Sequence, residues 1–385
     1  MIHNFSKKYA PLLVYSAVFL LAISDSGVQV LILTTLGEHS RVLRQIAIWL
    51  LFIKILSTRY TKKEFFLLLP VAIISLYNYT LCGNNYCIWN VLLIASLKDI
   101  DYSKLFKTLF YGSFGALLFV GCLSFLGIGG AVSLTEDFGR GMIETRYCFG
   151  MYHPNIWHFT VARCIVFLIL GYQTELNWKI LLALFMLNLI AYKLSISRTG
   201  FMAITVFILL IAAYKYLPRL MNSALLKILL GSGCLGAYLA YSHFMVDYLR
   251  TWNPFAGWIS QKFTNGRLTQ VSFYLKENPI KLWGTRFPDD GTLLDCGFFR
   301  MLFEAGWILG GIFIITFLIL LYRSLKNNWY PITSVCIFIA LYGLYEVYPF
   351  TRPTYNIVIF FIPLLISLSN SYSENYQYTK ISSGS

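Results

Sequence analysis

Charge is what this chain has least of. Asp, Glu, Lys and Arg make up 12% of its 385 residues, where a water-soluble domain commits roughly a quarter. A soluble protein of this length could hide much apolar surface, but it would still need a charged skin, and none is present. Acidic residues are scarcer than basic ones, 17 against 31. The five histidines are scattered, and no carboxylate pair stands at a ligand spacing, so no metal site is read and a metal-independent chemistry is expected. No phosphate loop or dinucleotide fingerprint occurs, so no cofactor is expected either. Of the eight cysteines only Cys82 and Cys87 form a close pair that could be a disulfide. The net charge of +14 carries no interleaved groove pattern and does not imply nucleic acid.

What the chain has instead is uncharged, apolar sequence from end to end: Tyr9 to Ser24, Phe65 to Leu97, Thr108 to Thr135, Thr199 to Tyr214, Ile228 to Val246, Ala305 to Tyr322, Asn327 to Tyr345 and Pro353 to Ser373. Several match the roughly 20 residues a helix needs to cross about 30 Å of hydrocarbon. A β-barrel would alternate, whereas these runs are continuous, so helices must satisfy the backbone. The first run follows Lys7 and Lys8 without a cleavage site and reads as a retained helix. The expectation is one all-α, polytopic transmembrane domain over residues 1–385, in a lipid bilayer, with no internal repeat. About twelve spans fall at 9–36, 42–57, 65–79, 85–97, 108–128, 156–172, 178–193, 199–215, 226–245, 298–322, 328–346 and 353–370.

Alternation from a cytoplasmic N-terminus puts the lysine-rich short loops inside, as the positive-inside rule requires, and makes both chain ends cytoplasmic. The connections 129–155 and 247–297 then become outer loops, the second the larger. On this reading thirteen of seventeen lysines are inside and eleven of fourteen arginines outside. Lysine suffices for orientation, but the guanidinium fork is favoured where phosphate or carboxylate is gripped bidentately. The arginines therefore either face an anionic substrate or snorkel to headgroups and pair with Glu136, Asp137, Asp289 and Asp290. Arg163 stands inside an apolar run, where a charge needs a partner.

Three constellations could carry chemistry. Arg146 to Asn155 leads into the span from Ile156, with Pro154 suited to a helix start and His153 able to act as base, acid or donor, or simply to bond a headgroup. Ser195-Ile196-Ser197-Arg198-Thr199-Gly200 is either an anion seat at a helix N-terminus or an ordinary capped start. The third runs from Asn265-Gly266-Arg267 through an amphipathic stretch to Asn278-Pro279, then Gly284, Arg286, Asp295 and Arg300. Asp295 beside an arginine is a general base or half of a salt bridge. An enzyme on the outer face lacks ATP and must use an activated substrate, of which a lipid-linked sugar diphosphate is one.

Together the arginine before His153-Pro154-Asn155, the Ser197-Arg198-Thr199-Gly200 turn, Asn265-Gly266-Arg267 in a large late loop, and the segment Asn278-Pro279, Gly284, Asp295, Gly306 resemble the bacterial O-antigen polymerase and ligase superfamily. The chain looks closest to Gram-positive capsular or exopolysaccharide repeat-unit polymerases. The resemblance implies transfer of a growing glycan from undecaprenyl pyrophosphate onto another lipid-linked oligosaccharide repeat, at the outer face of the bacterial plasma membrane, with inversion at the anomeric carbon. It implies that a flippase and a chain-length regulator could be partners. On it, Arg146, Arg198, Arg267, Arg286 and Arg300 would hold the pyrophosphate, and His153 or Asp295 would take the hydroxyl proton. Tyr152, Trp157, Trp252, Trp258 and Trp283 could stack on sugars or sit in interfacial belts. Related ligases tend to carry a histidine where this chain has Asp295. A ligase, or a lipid-linked oligosaccharide flippase, remains the alternative.

Overall fold

The computed structural model describes residues 2–31, 36–83, 85–138, 141–251, 254–264, 266–286 and 295–366. Arg140, Trp252, Asn265, Asp289 and Asp290 lie outside them, as does the end of the expected span at 353–370. The helices are α1 Ile2–Leu31, α2 Leu36–Leu56, α3 Lys62–Cys82, α4 Tyr86–Ser96 and α5 Tyr102–Phe125. After a hairpin of β1 Ser133–Asp137 and β2 Ile143–Tyr147 come α6 Pro154–Gly171, α7 Trp178–Ser195, α8 Arg198–Tyr216, α9 Pro218–Met221 and α10 Ala224–Thr251. The chain continues with α11 Pro254–Thr264, α12 Arg267–Glu277, α13 Gly297–Lys326, α14 Tyr330–Tyr345 and α15 Ile362–Leu365.

The fold is all-α apart from that hairpin. Among the described residues seven helices, α1, α3, α5, α6, α7, α8 and α13, are long and apolar enough to cross a membrane, and α4, α14 and part of α10 are shorter apolar helices. The protein is a helical membrane protein. Helix starts follow local chemistry. Thr61 and Glu64 form a capping box on α3, with Thr61 N donating to Glu64 Oε2 at 2.6 Å and Glu64 N to Thr61 Oγ1 at 3.3 Å. Asp101 caps α5 by accepting the Lys104 amide and Asn177 caps α7 by accepting the Ile180 amide, each through its side chain alone.

Two helices sit at the centre. α6 and α14 are buried on nearly all sides, and their Phe159, Phe167, Phe338 and Tyr342 join residues of α1, α5 and α8 in the main core. α1 packs on α2 and α5, α5 on α6, α8 on α7 and α14, and α13 on α14. Gly200 permits the α6–α8 approach: a Cβ there would stand 2.1 Å from His158 Nδ1.

The expected span at 353–370 is not one helix within the described residues. Ile357–Phe361 is a 3-10 turn and α15 adds only four residues. The cause is polar anchoring of the preceding segment. Thr354 Oγ1 donates to Asp25 Oδ2 at 2.5 Å, Tyr355 Oη to the Asp25 carbonyl at 2.7 Å, and Asn356 Nδ2 to Tyr86 Oη at 3.1 Å. Irregular backbone is tolerated at such depth only when protein surrounds it, and Thr354 to Phe361 are all buried. α13 is interrupted at Gly306, whose φ of 74° and ψ of 174° suit glycine alone. The segment Lys281–Thr285 stitches onto this break, through Thr285 N to the Phe303 carbonyl at 2.9 Å and Ile308 N to the Leu282 carbonyl at 3.2 Å.

Candidate functional site

The hairpin delivers Arg146 to the start of α6. Its Nε and Nη2 both donate to Glu144 Oε2, at 2.9 and 2.5 Å, and its guanidinium lies 4.0 Å from the centre of the Phe138 ring. Phe138 meets His153 edge-on, with ring centres 5.8 Å apart. His153 is the N-cap of α6: its Nδ1 accepts the Asn155 amide at 3.2 Å, and Pro154 fills the first helical position. The Asn155 side chain then reaches away, donating from Nδ2 to Glu346 Oε1 at 3.1 Å. His153, Pro154 and Asn155 thus form one device that starts a central helix and grips the end of another.

Glu346 is the C-cap residue of α14 and is 3% exposed. Its Oε1 also accepts Arg267 Nη1 at 3.1 Å. Arg267, at the first position of α12 behind a left-handed Gly266, donates as well to the Tyr345 carbonyl, and its Nε stands 3.2 Å from Asp295 Oδ2. Residues far apart in the chain, 153–155, 267, 295 and 346, therefore converge at one end of the bundle. The two like-charged carboxylates are held apart by one guanidinium, which is the geometry its fork permits.

Burial lowers the His153 imidazole to about 4; Asp295 opposes that shift, and Arg146 and Arg267 add to it. With Nδ1 accepting a backbone N–H, the ring is neutral and carries its proton on Nε2. In this state it is a hydrogen-bond donor rather than a base. Burial raises the Glu346 carboxyl to about 7, opposed by Arg267 and reinforced by Asp295. Burial alone would lower the Arg267 guanidinium, but Glu346 and Asp295 outweigh it and hold the group charged well above its ordinary range. Tyr152 lies within the electrostatic reach of Arg300, Arg352 and Asp295, which extends the charged group along the same end.

A second polar row lies deeper. Arg163 is fully buried in α6, with Nη2 donating to Ser26 Oγ at 2.9 Å and Ser113 Oγ at 3.2 Å, and Nη1 to Thr354 Oγ1 at 3.5 Å. Its guanidinium lies 4.2 Å from the centre of the Tyr355 ring. Thr354 passes the interaction on to Asp25, which also faces Arg44 at 3.8 Å. The partner the sequence demands for Arg163 is thus a carboxylate reached through a threonine.

The remaining candidates are placed as follows. Arg300 Nε donates to Glu304 Oε1 at 3.0 Å, one turn along α13. Arg198 is exposed at the first position of α8, after a turn in which the β-branched Ile196 takes a φ of 53°. Arg286 is exposed just beyond Thr285. Tyr152 and Trp258 are exposed, Trp157 is half-buried against Phe149, and Trp283 meets Tyr77 edge-on. Cys82 and Cys87 are free thiols, not a disulfide. Among the described residues no three of His, Cys, Asp and Glu gather as a metal site. Glu346 was not singled out by sequence reasoning. The signal was there, an acidic residue ending an apolar span, where burial requires a cationic partner. Comparison with family models, curated proteins and solved structures finds no match for this chain.

Proposed function

We propose that the protein is a polysaccharide polymerase of the outer membrane face, moving a growing glycan from undecaprenyl pyrophosphate to a lipid-linked repeat unit. The observation that carries this reading is the convergence of Arg267, Asp295, Glu346 and His153 at one end of a membrane-spanning bundle, bordered by Arg146 and Arg300. An acceptor hydroxyl attacks the anomeric carbon, the carbon–oxygen bond to pyrophosphate breaks, and the negative charge grows on the leaving group. Arginines held by a preorganised shell stabilise that charge. Asp295, on the more exposed side of Arg267, takes the hydroxyl proton, while Glu346 fixes Arg267 from the buried side. His153 donates from Nε2 to a substrate oxygen. The twelve-span topology with both termini cytoplasmic belongs to the same proposal.

A second reading, transport of the lipid-linked glycan between leaflets, is favoured by one observation: the Arg163–Thr354–Asp25–Arg44 row buried inside the bundle. Purified protein incubated with a defined lipid-linked repeat separates the two. Longer lipid-linked glycans support the polymerase; unchanged repeats appearing in the opposite leaflet refute it in favour of the transporter.

A further inference from the structure

A groove of about 1020 Å³, open side included, lies between α3, α4, α13 and the segment around α15. No charged residue lines it. On α3 its wall runs from Leu67 to Ser75, about 12 Å at 1.5 Å per residue, and on α13 from Met301 across the break at Gly306 to Thr316. It thus follows a good part of one leaflet's depth, a leaflet being roughly half of the 30 Å of hydrocarbon. It lies at the bundle's rim, because α3 is the least buried of the seven long apolar helices and the groove-lining Leu67 is 44% exposed. Its lining, aliphatic for the most part and without a charge, suits a hydrocarbon chain.

One end of the groove adjoins the Arg300–Glu304 pair, for Glu304 lies within electrostatic reach of the groove-lining Tyr86 and Cys87. Met301 follows Arg300, whose guanidinium is held by Glu304, and Ala305 of the wall follows Glu304. The break at Gly306 sits beside this junction, fixed by Asn78 Nδ2 donating to the Glu304 carbonyl at 3.0 Å and the Trp283 carbonyl at 2.6 Å. An apolar groove that starts beside an ion-paired arginine, able to exchange its carboxylate for a phosphate, matches the two-part chemistry of a polyprenyl diphosphate.

We infer that this groove seats the isoprenoid chain of the lipid-linked substrate, with the diphosphate beside Arg300. The inference rests on the proposed function for the identity of the head group, but not for the groove itself.

The test uses full-length protein in phosphatidylcholine nanodiscs and a polyprenyl diphosphate carrying a photoreactive diazirine at the far end of its chain. Label is expected on α3 and α13 along the groove, displaced by undecaprenyl diphosphate at least tenfold better than by undecaprenol. Ile312→Trp and Leu68→Trp, on half-buried positions of opposite walls, are expected to cut labelling at least fivefold. Label spread over all lipid-facing helices, an unlabelled groove occupied instead by a protein helix, or equal displacement by undecaprenol overturns the inference. Should either variant fail to fold, the wild-type map and competition still decide. Groove labelling in a protein that never elongates glycans keeps the groove and refutes the polymerase; normal elongation in both folded tryptophan variants does the reverse.

Discussion

Replacing Arg163 tests whether the buried row is a structural charge relay. Arg163 and Asp25 are both fully buried, and the two hydrogen bonds through Thr354, of 3.5 and 2.5 Å, place Nη1 within about 6 Å of the carboxylate. At an effective dielectric of about 20, two unit charges at that separation attract by roughly 2.8 kcal/mol. Arg163→Met keeps the volume but leaves Asp25 with Arg44 alone, 3.8 Å away and with its side chain 18% exposed. Loss of one member of a buried pair costs up to roughly 3–5 kcal/mol, whereas removing both charges is near neutral. A double-mutant cycle of Arg163→Met with Asp25→Asn should therefore show a coupling of roughly 2–3 kcal/mol, the double variant recovering most of the stability. At roughly 2 °C per kcal/mol for a long chain, that is a recovery of about 5 °C in tryptophan-fluorescence melting in detergent. A coupling under about 0.5 kcal/mol would show that Thr354 transmits nothing, and the account of Arg163 would fall.

Three further outcomes are expected. Arg267→Lys keeps the charge but can satisfy only part of the contacts to Asp295, Glu346 and the Tyr345 carbonyl, so elongation should drop roughly 30–100-fold, about 2–3 kcal/mol, at normal protein levels; wild-type polymer length removes Arg267 from the mechanism. Because the His153 ring is lowered from 6.5 to about 4, its contribution to stability is complete above pH 6.5 and is lost as pH falls towards 4. The cap-competent His153→Asn should reduce that acid loss by roughly 1–2 kcal/mol after allowance for partial exposure, and parallel melting curves for the two proteins would contradict it. Gly306→Ala forces a Cβ to 2.2 Å from the Gly284 amide at a glycine-only conformation, so it should cost roughly 3 kcal/mol or more, whereas Gly115→Ala, with open space around it, should leave the melting temperature unchanged or raised; equal melting of both would refute the stitched break.

Much of the fold was legible in the sequence because membrane helices announce themselves by composition. The runs at Phe65 to Leu97 and Ala305 to Tyr322 fall in α3 with α4 and in α13, while the run Thr108 to Thr135 covers most of α5 and then overruns its end at Phe125 into β1. The last run did not give a single helix, because hydropathy records that 353–370 is buried but not that Asp25, some 330 residues away, holds its backbone in an irregular path. Pro154 marked the start of α6, and its neighbour His153 proved to be the cap. The role of Asn155 was hidden, since it depends on Glu346, a contact set by the packing of α6 against the end of α14. Local pattern located Arg267 and Asp295, but only tertiary packing shows that they pair with each other and that Glu346 shares the same guanidinium.

Those carboxylates bear on turnover. Arg146 is held by Glu144, Arg267 by Asp295 and Glu346, and Arg300 by Glu304, so these three arginines already face four carboxylates and carry no excess positive charge before any anion arrives. In the proposed reaction this balance is useful. An uncompensated cluster would bind substrate and departing pyrophosphate alike, and such uniform binding does not raise the rate of the chemical step. An arginine that exchanges a carboxylate for a phosphate as charge develops adds its stabilisation in the transition state and lets the product go. Glu144→Gln, which frees Arg146 of its charged partner while keeping an acceptor, should therefore tighten inhibition by undecaprenyl pyrophosphate roughly tenfold, about 1.4 kcal/mol, and lower kcat in parallel. Unchanged product inhibition together with unchanged kcat would mean that Arg146 holds the hairpin against α6 and takes no share in the anion.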